Sequence, residues 1–304
     1  MHHPVLIAAV FSPFSSDNAL ALGQVAHQAE WLASRGVDGV FVAGTTGESL
    51  SLSLPERMQL IETWAGVASS VGLSLFAHVG ASSQIDSIAL AQHADDVGVD
   101  AISAMAPNYF KPATCADLAA YLGEIASAAS ATPFYYYDIP SWTGVTFRSS
   151  EILSTFATTI PTLAGIKYTS NDWIDFARCV AIASTNYRLF WGCDEALLAG
   201  LVLGAHGAIG STYNFAARQA REVVHAFQNN DFASAREAQL GVIHIVDALA
   251  QYDYLPAAKA LMGILGVDCG PVRSPLRTLD HGQIQELRHC VTSLGLTPLK
   301  SHRG

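Results

Sequence analysis

The sequence predicts an α/β fold, a TIM (β/α)8 barrel with a C-terminal helical extension, and three observations carry that expectation. Short apolar runs alternate with longer Ala- and Leu-rich stretches of helical spacing, the pattern of repeated βα units. Eight such units follow one another before the pattern changes. A chain of 304 residues also suffices for a barrel of about 250 residues plus an appendage.

The predicted strands are Val5–Val10, Gly39–Val42, Ser74–His78, Ala101–Met105, Pro133–Tyr137, Leu163–Lys167, Arg188–Trp191 and Gly207–Gly210. Between them the spacing predicts helices over Ala19–Arg35, Pro55–Ser69, Gln84–Val97, Cys115–Ala128, Asn171–Ala183 and Ala196–Leu203, several opened by Ser, Asp or Pro start signals. After about residue 228 strand signals stop, and Asp231–Gln251, Pro256–Leu265 and Asp280–Leu294 read as consecutive helices. The expected organisation is therefore a barrel over residues 1–228 and a three-helix extension over 229–304, with no low-complexity linker between them.

Half of the residues are hydrophobic and 14% are charged, which predicts a large core, excludes disorder and fits subunit interfaces. The net charge of −10, with no basic run, argues against nucleic acid and anionic lipid as partners. No signal-peptide pattern and no apolar run of about 20 residues is seen, so a cytoplasmic protein is expected. Cys115, Cys179, Cys193, Cys269 and Cys290 contain no CxxC pair and read as reduced packing residues. The eleven His, His2 and His3 among them, form neither HExxH nor H-x-H, so no metal is expected.

In such barrels chemistry sits at the C-terminal ends of the strands. Of the four Lys, at 111, 167, 259 and 300, only Lys167 ends a continuous apolar strand. Burial there disfavours an ammonium, and a neutral amine is a carbonyl nucleophile. The other reading pairs Lys167 with a carboxylate such as Asp138 or Glu48. After the second strand, Gly44 and Gly47 flank Thr45 and Thr46, so that backbone amides and two hydroxyls can approach an anion such as a carboxylate. The same residues also suit an ordinary βα turn with a helix cap. Alternation turns Tyr135 and Tyr137 to one side of the fifth strand and Tyr136 to the other, leaving Tyr137 at the rim either to move protons or to pack.

Five segments, "GTTGESLSLSLPER" at 44–57, "YYYDIPSWTG" at 135–144, "GIKYTS" at 165–170, "GCDEALL" at 192–198 and "GAIGSTYN" at 207–214, together resemble the dihydrodipicolinate synthase and N-acetylneuraminate lyase family of class I aldolases. The resemblance runs along nearly the whole chain. It implies that Lys167 forms an imine with a 2-oxo acid, that Thr45 and Thr46 hold its carboxylate, and that Tyr137 transfers protons. It implies further that Tyr109, in "APNYFKP", sits near Tyr137 at a subunit contact, that the assembly is a homotetramer, and that no cofactor is needed besides the imine.

Within the family, the synthase branch carries Arg where this chain has Trp142, and a neutral indole cannot replace a bidentate guanidinium. Tyr213 in "GSTYN" is similar instead to the branch that cleaves N-acetylneuraminate. That pattern assigns Thr169, Gly192, Asp194, Glu195 and Ser211 to the polyhydroxyl end of a sugar acid. The plainer reading of Asp194-Glu195 is a helix N-cap followed by a first-turn acid. The activity implied is reversible cleavage of N-acetylneuraminate to N-acetylmannosamine and pyruvate. Another member of the family, an aldolase for a 2-keto-3-deoxy sugar acid or a 4-hydroxy-tetrahydrodipicolinate synthase, is the nearest alternative, and a silent pyruvate-binding protein the more distant one.

Overall fold

A computed structural model describes residues 3–291 and 293–297. His2 and Lys300 lie outside the described residues, as does position 292 within the last predicted helix. Eight parallel strands close a barrel in sequence order: β1 (Val5–Ala9), β2 (Gly39–Val42), β3 (Ser74–His78), β4 (Ala101–Met105), β5 (Phe134–Asp138), β6 (Leu163–Tyr168), β7 (Arg188–Trp191) and β8 (Gly207–Gly210). Closure comes from β8 beside β1, where Val5 faces Gly207 and Ile7 faces Ile209.

Strand alternation sorts the side chains into two cores. Ile7, Ala9, Phe41, Phe76, Tyr135, Tyr137, Phe190 and Ile209 fill the lumen, while Leu6, Val40, Leu75, Ile102, Tyr136 and Trp191 pack outward in the layer beneath the helices. Tyr136 accordingly meets Phe156 edge-on, and Tyr135 lies against Phe76 and Phe190. Two glycines let strands approach where a side chain would collide. A methyl group at Gly165 would stand 1.7 Å from the Arg188 carbonyl, and one at Gly207 would stand 2.2 Å from that of Val5.

Six of the described helices begin at a capping side chain. Ser53 and Glu56 form a capping box at Leu54–Ala68, with Pro in the first turn, and Thr114 and Asp117 form another at Cys115–Ser127. Ser83, Asp172, Asp231 and Asp280 each cap the helix that follows them. The first helix is Gln24–Ser34 rather than Ala19–Arg35, because an antiparallel bridge between Phe14 and Leu20 closes a tight turn that takes the residues from 19 out of the helix. Strand β5 starts after Pro133, which lacks the amide proton a strand would use. Helices Ser149–Thr159 and Ala217–Gln228 are not among the predicted ranges. The first of them, rich in Ser and Thr, has weak intrinsic propensity and is anchored by the buried Asp175 carboxylate, which accepts from Ser150 N and Oγ. After β8 and Ala217–Gln228 come Phe232–Ala250, Tyr254–Leu265 and His281–Cys290, within the three predicted C-terminal ranges apart from the start of the second. Among the described residues no helix is long and apolar enough to cross a membrane.

Substituting Gly165→Ala should force β6 from β7 immediately before Lys167. Overpacking of this kind costs about 1–3 kcal/mol or more, and a thermal melt should show a midpoint several degrees lower. A midpoint unchanged from the parent would show that the strands part without penalty.

Candidate active site

The polar ends of the strands meet in one cleft of about 620 Å³ at the C-terminal mouth of the barrel. Its lining includes Thr45, Thr46, Tyr137, Lys167, Thr169, Gly192, Asp194, Glu195 and Ser211, which converge from five different strand ends. Pairing of β5 with β6 sets Tyr137 opposite Lys167. The Lys167 side chain passes through the lumen rings, its Nζ 3.9 Å from the centre of the Tyr137 ring and 4.4 Å from that of Phe41. It is only 4% exposed, and among the described residues no carboxylate forms an ion pair with it.

Both carboxylates that might have paired with Lys167 are engaged elsewhere. Glu48 binds Lys259 through Oε1 at 2.9 Å, and Asp138 accepts from Ser149 Oγ at 2.8 Å. The pairing alternative for Lys167 is thereby excluded in this arrangement. The Tyr137 ring is held edge-on by Phe41 and by His78, and its hydroxyl lies 3.2 Å from Thr45 Oγ1. Tyr137 thus links the turn that carries Thr45 to the Lys167 amine.

The turn after β2 is braced from outside. Ser12 Oγ donates to the Gly47 carbonyl at 2.6 Å, and His78 Nδ1 lies 3.1 Å from the Ala43 carbonyl. Ala43 and Glu48, at either end of the turn, both hold the left-handed conformation that non-glycine residues seldom adopt, at φ 55° and 54°. The helix cap belongs to Ser53, so this turn is not itself a cap.

At the other wall, Gly192 lets β7 pass close to Thr169, whose Oγ1 donates to the Asp138 carbonyl at 2.5 Å. Asp194 and Glu195 differ sharply in surroundings. Asp194 is 4% exposed and accepts from Thr212 N at 2.8 Å, so its carboxylate caps the turn after β8 rather than its own helix. Its second oxygen has no hydrogen-bond partner among the described residues and points over Gly210, where a methyl group would stand 1.6 Å away. Burial pushes its carboxyl up to about 6. Glu195 is exposed on the cleft wall, with no partner among the described residues. Ser211 Oγ shares a 2.8 Å hydrogen bond with Tyr254 OH.

Tyr109 does not line the cleft of the single chain. It stands 84% exposed on the loop after β4, edge-on to the equally exposed Phe110. Trp142 does line the cleft, 70% exposed. Tyr213 is fully buried behind Asp194 and takes no part in the lining. Two cleft residues carry no signal in the sequence, Tyr254 and Asp253 at the start of a C-terminal helix, and neither does the buried Gln239 behind the wall, which donates to the Asp194 carbonyl at 3.1 Å. No motif or period marks them, and only the docking of the C-terminal helices brings them here. Among the described residues no group of three or more His, Cys, Asp or Glu converges as a metal site requires.

A model of the dihydrodipicolinate synthetase family matches residues 4–294. The chain belongs to that family. It is 38% identical to an N-acetylneuraminate lyase of Pongo abelii over 276 residues, 90% of this chain and 86% of the relative. Among solved structures, N-acetylneuraminate lyase from Proteus mirabilis superposes with a TM-score of 0.93 at 33% identity, covering 97% of this chain and 99% of the other. YagE, an E. coli K12 prophage protein of the dihydrodipicolinic acid synthase family solved with pyruvate, superposes at 0.88 with 25% identity, covering 96% and 99%.

Burial pushes the Asp138 carboxyl up to about 7, from an ordinary value of 3.8. The folded protein therefore holds this proton more tightly than the unfolded chain, so the stability it contributes is complete below pH 3.8 and is lost as pH rises through about 7. Asp138→Asn should flatten the fall in stability between pH 5 and 7.5 by an amount on the order of 2 kcal/mol, read from denaturant midpoints at the two pH values. Equal slopes in parent and variant would mean that Asp138 is ionised throughout.

Proposed function

We propose that this chain is a Schiff-base-forming carbon–carbon lyase that cleaves N-acetylneuraminate reversibly to N-acetylmannosamine and pyruvate. The observation that carries the reading is Lys167, a buried amine without a counter-carboxylate among the described residues, one strand from a tyrosine that is itself hydrogen-bonded to the Thr45 turn. The names borne by its relatives in Pongo abelii and Proteus mirabilis support the choice of substrate.

Lys167, in its uncharged form, attacks the C2 ketone of the open-chain sugar acid, and loss of water leaves a protonated imine that serves as electron sink. Thr45 and Thr46 bind the adjoining carboxylate. Tyr137, between Thr45 and Lys167, gives its proton to the departing hydroxyl of the carbinolamine and, as phenolate, takes the proton from the C4 hydroxyl. The C3–C4 bond breaks, the aldehyde N-acetylmannosamine leaves, and the electron pair is held as an enamine. Protonation of the enamine and hydrolysis of the imine release pyruvate and restore the amine. The amine supplies the activation that a metal ion supplies in other aldolases, so the reading requires no cofactor.

The sugar chain extends toward Thr169, Gly192, Glu195 and Ser211, with Asp194 holding the turn that carries Ser211. Trp142 occupies the place of the synthase guanidinium, which disfavours a substrate with a second carboxylate. A homotetramer completes the reading, in which Tyr109 reaches the Tyr137 region of a second copy. The exposure of Tyr109 and Phe110 is consistent with such a contact. Five cysteines without a disulfide suit a reducing cytoplasm.

Pyruvate with borohydride should add a reduced pyruvyl mass to the peptide carrying Lys167, and Lys167→Met should abolish both labelling and turnover while leaving the circular dichroism unchanged. Labelling at Lys111 or Lys259 instead would sink the assignment. Glu195→Gln keeps one acceptor but loses charge-assisted hydrogen bonds worth about 1.5–3 kcal/mol each, so kcat/KM for N-acetylneuraminate should fall roughly tenfold to a hundredfold. Pyruvate trapping at Lys167 should survive that change, and an unchanged kcat/KM would return Glu195 to a surface role.

A further inference from the structure

The turn that carries Thr45 and Thr46 also carries a carboxylate. Glu48 folds back on it, donating its backbone N–H to the Thr45 carbonyl at 3.0 Å, and it lines the same cleft. A second carboxylate so close to a bound 2-oxo acid would repel it unless its charge were cancelled. The structure supplies the cancelling group from the far end of the sequence. Lys259, on helix Tyr254–Leu265, donates to Glu48 Oε1 at 2.9 Å, and both side chains are 1% exposed. Arg273 N donates to Oε2 at 2.8 Å, so both carboxylate oxygens have a donor.

Lys259 is itself fixed, with Nζ 4.1 Å above the Phe14 ring. The Arg273 guanidinium, over the other reach of the same ring, binds both oxygens of Glu56 and the carbonyls of Asn18 and Ser51, which holds the donating backbone N–H in place. Burial pulls the Lys259 ammonium below its ordinary range and Glu48 opposes that pull, the pattern of a pair that keeps its charges by holding each other.

We propose that Lys259 is a positioning residue for the anion-binding turn. By pairing with Glu48 it neutralises a carboxylate carried on the same turn as Thr45 and Thr46, whose charge would otherwise repel the carboxylate of the substrate. The inference rests on the assignment of the substrate carboxylate to those two threonines. It makes a C-terminal helix part of the machinery that admits an anion to the barrel.

The test is the pyruvate concentration that half-saturates borohydride trapping at Lys167 in the full-length protein. Lys259→Met leaves Glu48 uncompensated and should raise that concentration at least about tenfold, the order expected of one unpaired charge beside a bound anion. Trapping at saturating pyruvate should be retained. The double variant Glu48→Gln with Lys259→Met removes both charges at nearly constant volume and should return to within about threefold of the parent, a rescue that a merely structural role would not produce. Should Lys259→Met not fold, Lys259→Gln, which still donates to Glu48 but carries no charge, is read in the same way. An unchanged half-saturation in either folded variant, or a double variant as weak as the single, overturns the proposal. Thr46→Val run alongside separates the two assignments. If it raises half-saturation and Lys259→Met does not, only the role of Lys259 falls, and if Thr46→Val has no effect, the carboxylate site and the proposal that rests on it fall together.

Discussion

The pairing of β5 with β6 is the constraint from which the rest of the site follows. It sets Tyr137 and Lys167 side by side on the inner face of a closed barrel, and Gly165 lets β6 lie tight against β7 immediately before the amine. A closed sheet has no edge along which the register could slip, and a slip of one residue would send both side chains out beneath the helices. Lys167 is thereby held against the rings of Phe41 and Tyr137, with no carboxylate paired to it among the described residues. An amine kept this way is costly to the fold and useful for attack on a carbonyl.

Around that rigid centre, the loops at the strand ends are held by buried polar contacts rather than by strand pairing. Asp194 ties the end of β7 to the turn after β8, and Thr169 ties β6 to the end of β5. Gln239 and Lys259 reach in from the C-terminal helices to the Asp194 and Glu48 turns. Individual neutral hydrogen bonds of this kind contribute about 1 kcal/mol each, but removing one partner of a buried ion pair costs about 3–5 kcal/mol, so the Glu48–Lys259 pair dominates the set. Side chains far apart in sequence thus act on one cleft through short contacts.

The carboxylates near the strand ends divide by solvent access. Asp138 and Asp194 are buried and burial pushes both carboxyls up, to about 7 and about 6, whereas Glu195 lies open on the cleft wall. The first two shape backbone and turns, and the third is available to a ligand's hydroxyls. Residue type and neighbourhood in the sequence do not distinguish them, because Asp194 and Glu195 are adjacent.

By itself the sequence determined the barrel, its strand order and the place of Lys167 at the end of an apolar strand. Alternation and apolar runs are local properties, and an apolar strand ending in a lysine is legible without any partner. That Tyr135 and Tyr137 share one side of their strand was legible for the same reason, and closure of the barrel made that side the inner one. Where local signals compete or are weak, as at Ser149–Thr159 or before Gln24, packing and long-range hydrogen bonds set the boundaries. Only the tertiary structure decided which carboxylate meets which cation, since Glu48 is 211 residues from Lys259 in the chain and no spacing rule links them. It alone brought Tyr254 to Ser211, made Asp194 a cap for the neighbouring turn, and left Tyr109 on the outer surface of the single chain. Charge pairing, burial and cleft lining depend on distance in space, and that distance is set by how the C-terminal helices and the loop after β4 settle against a barrel already closed.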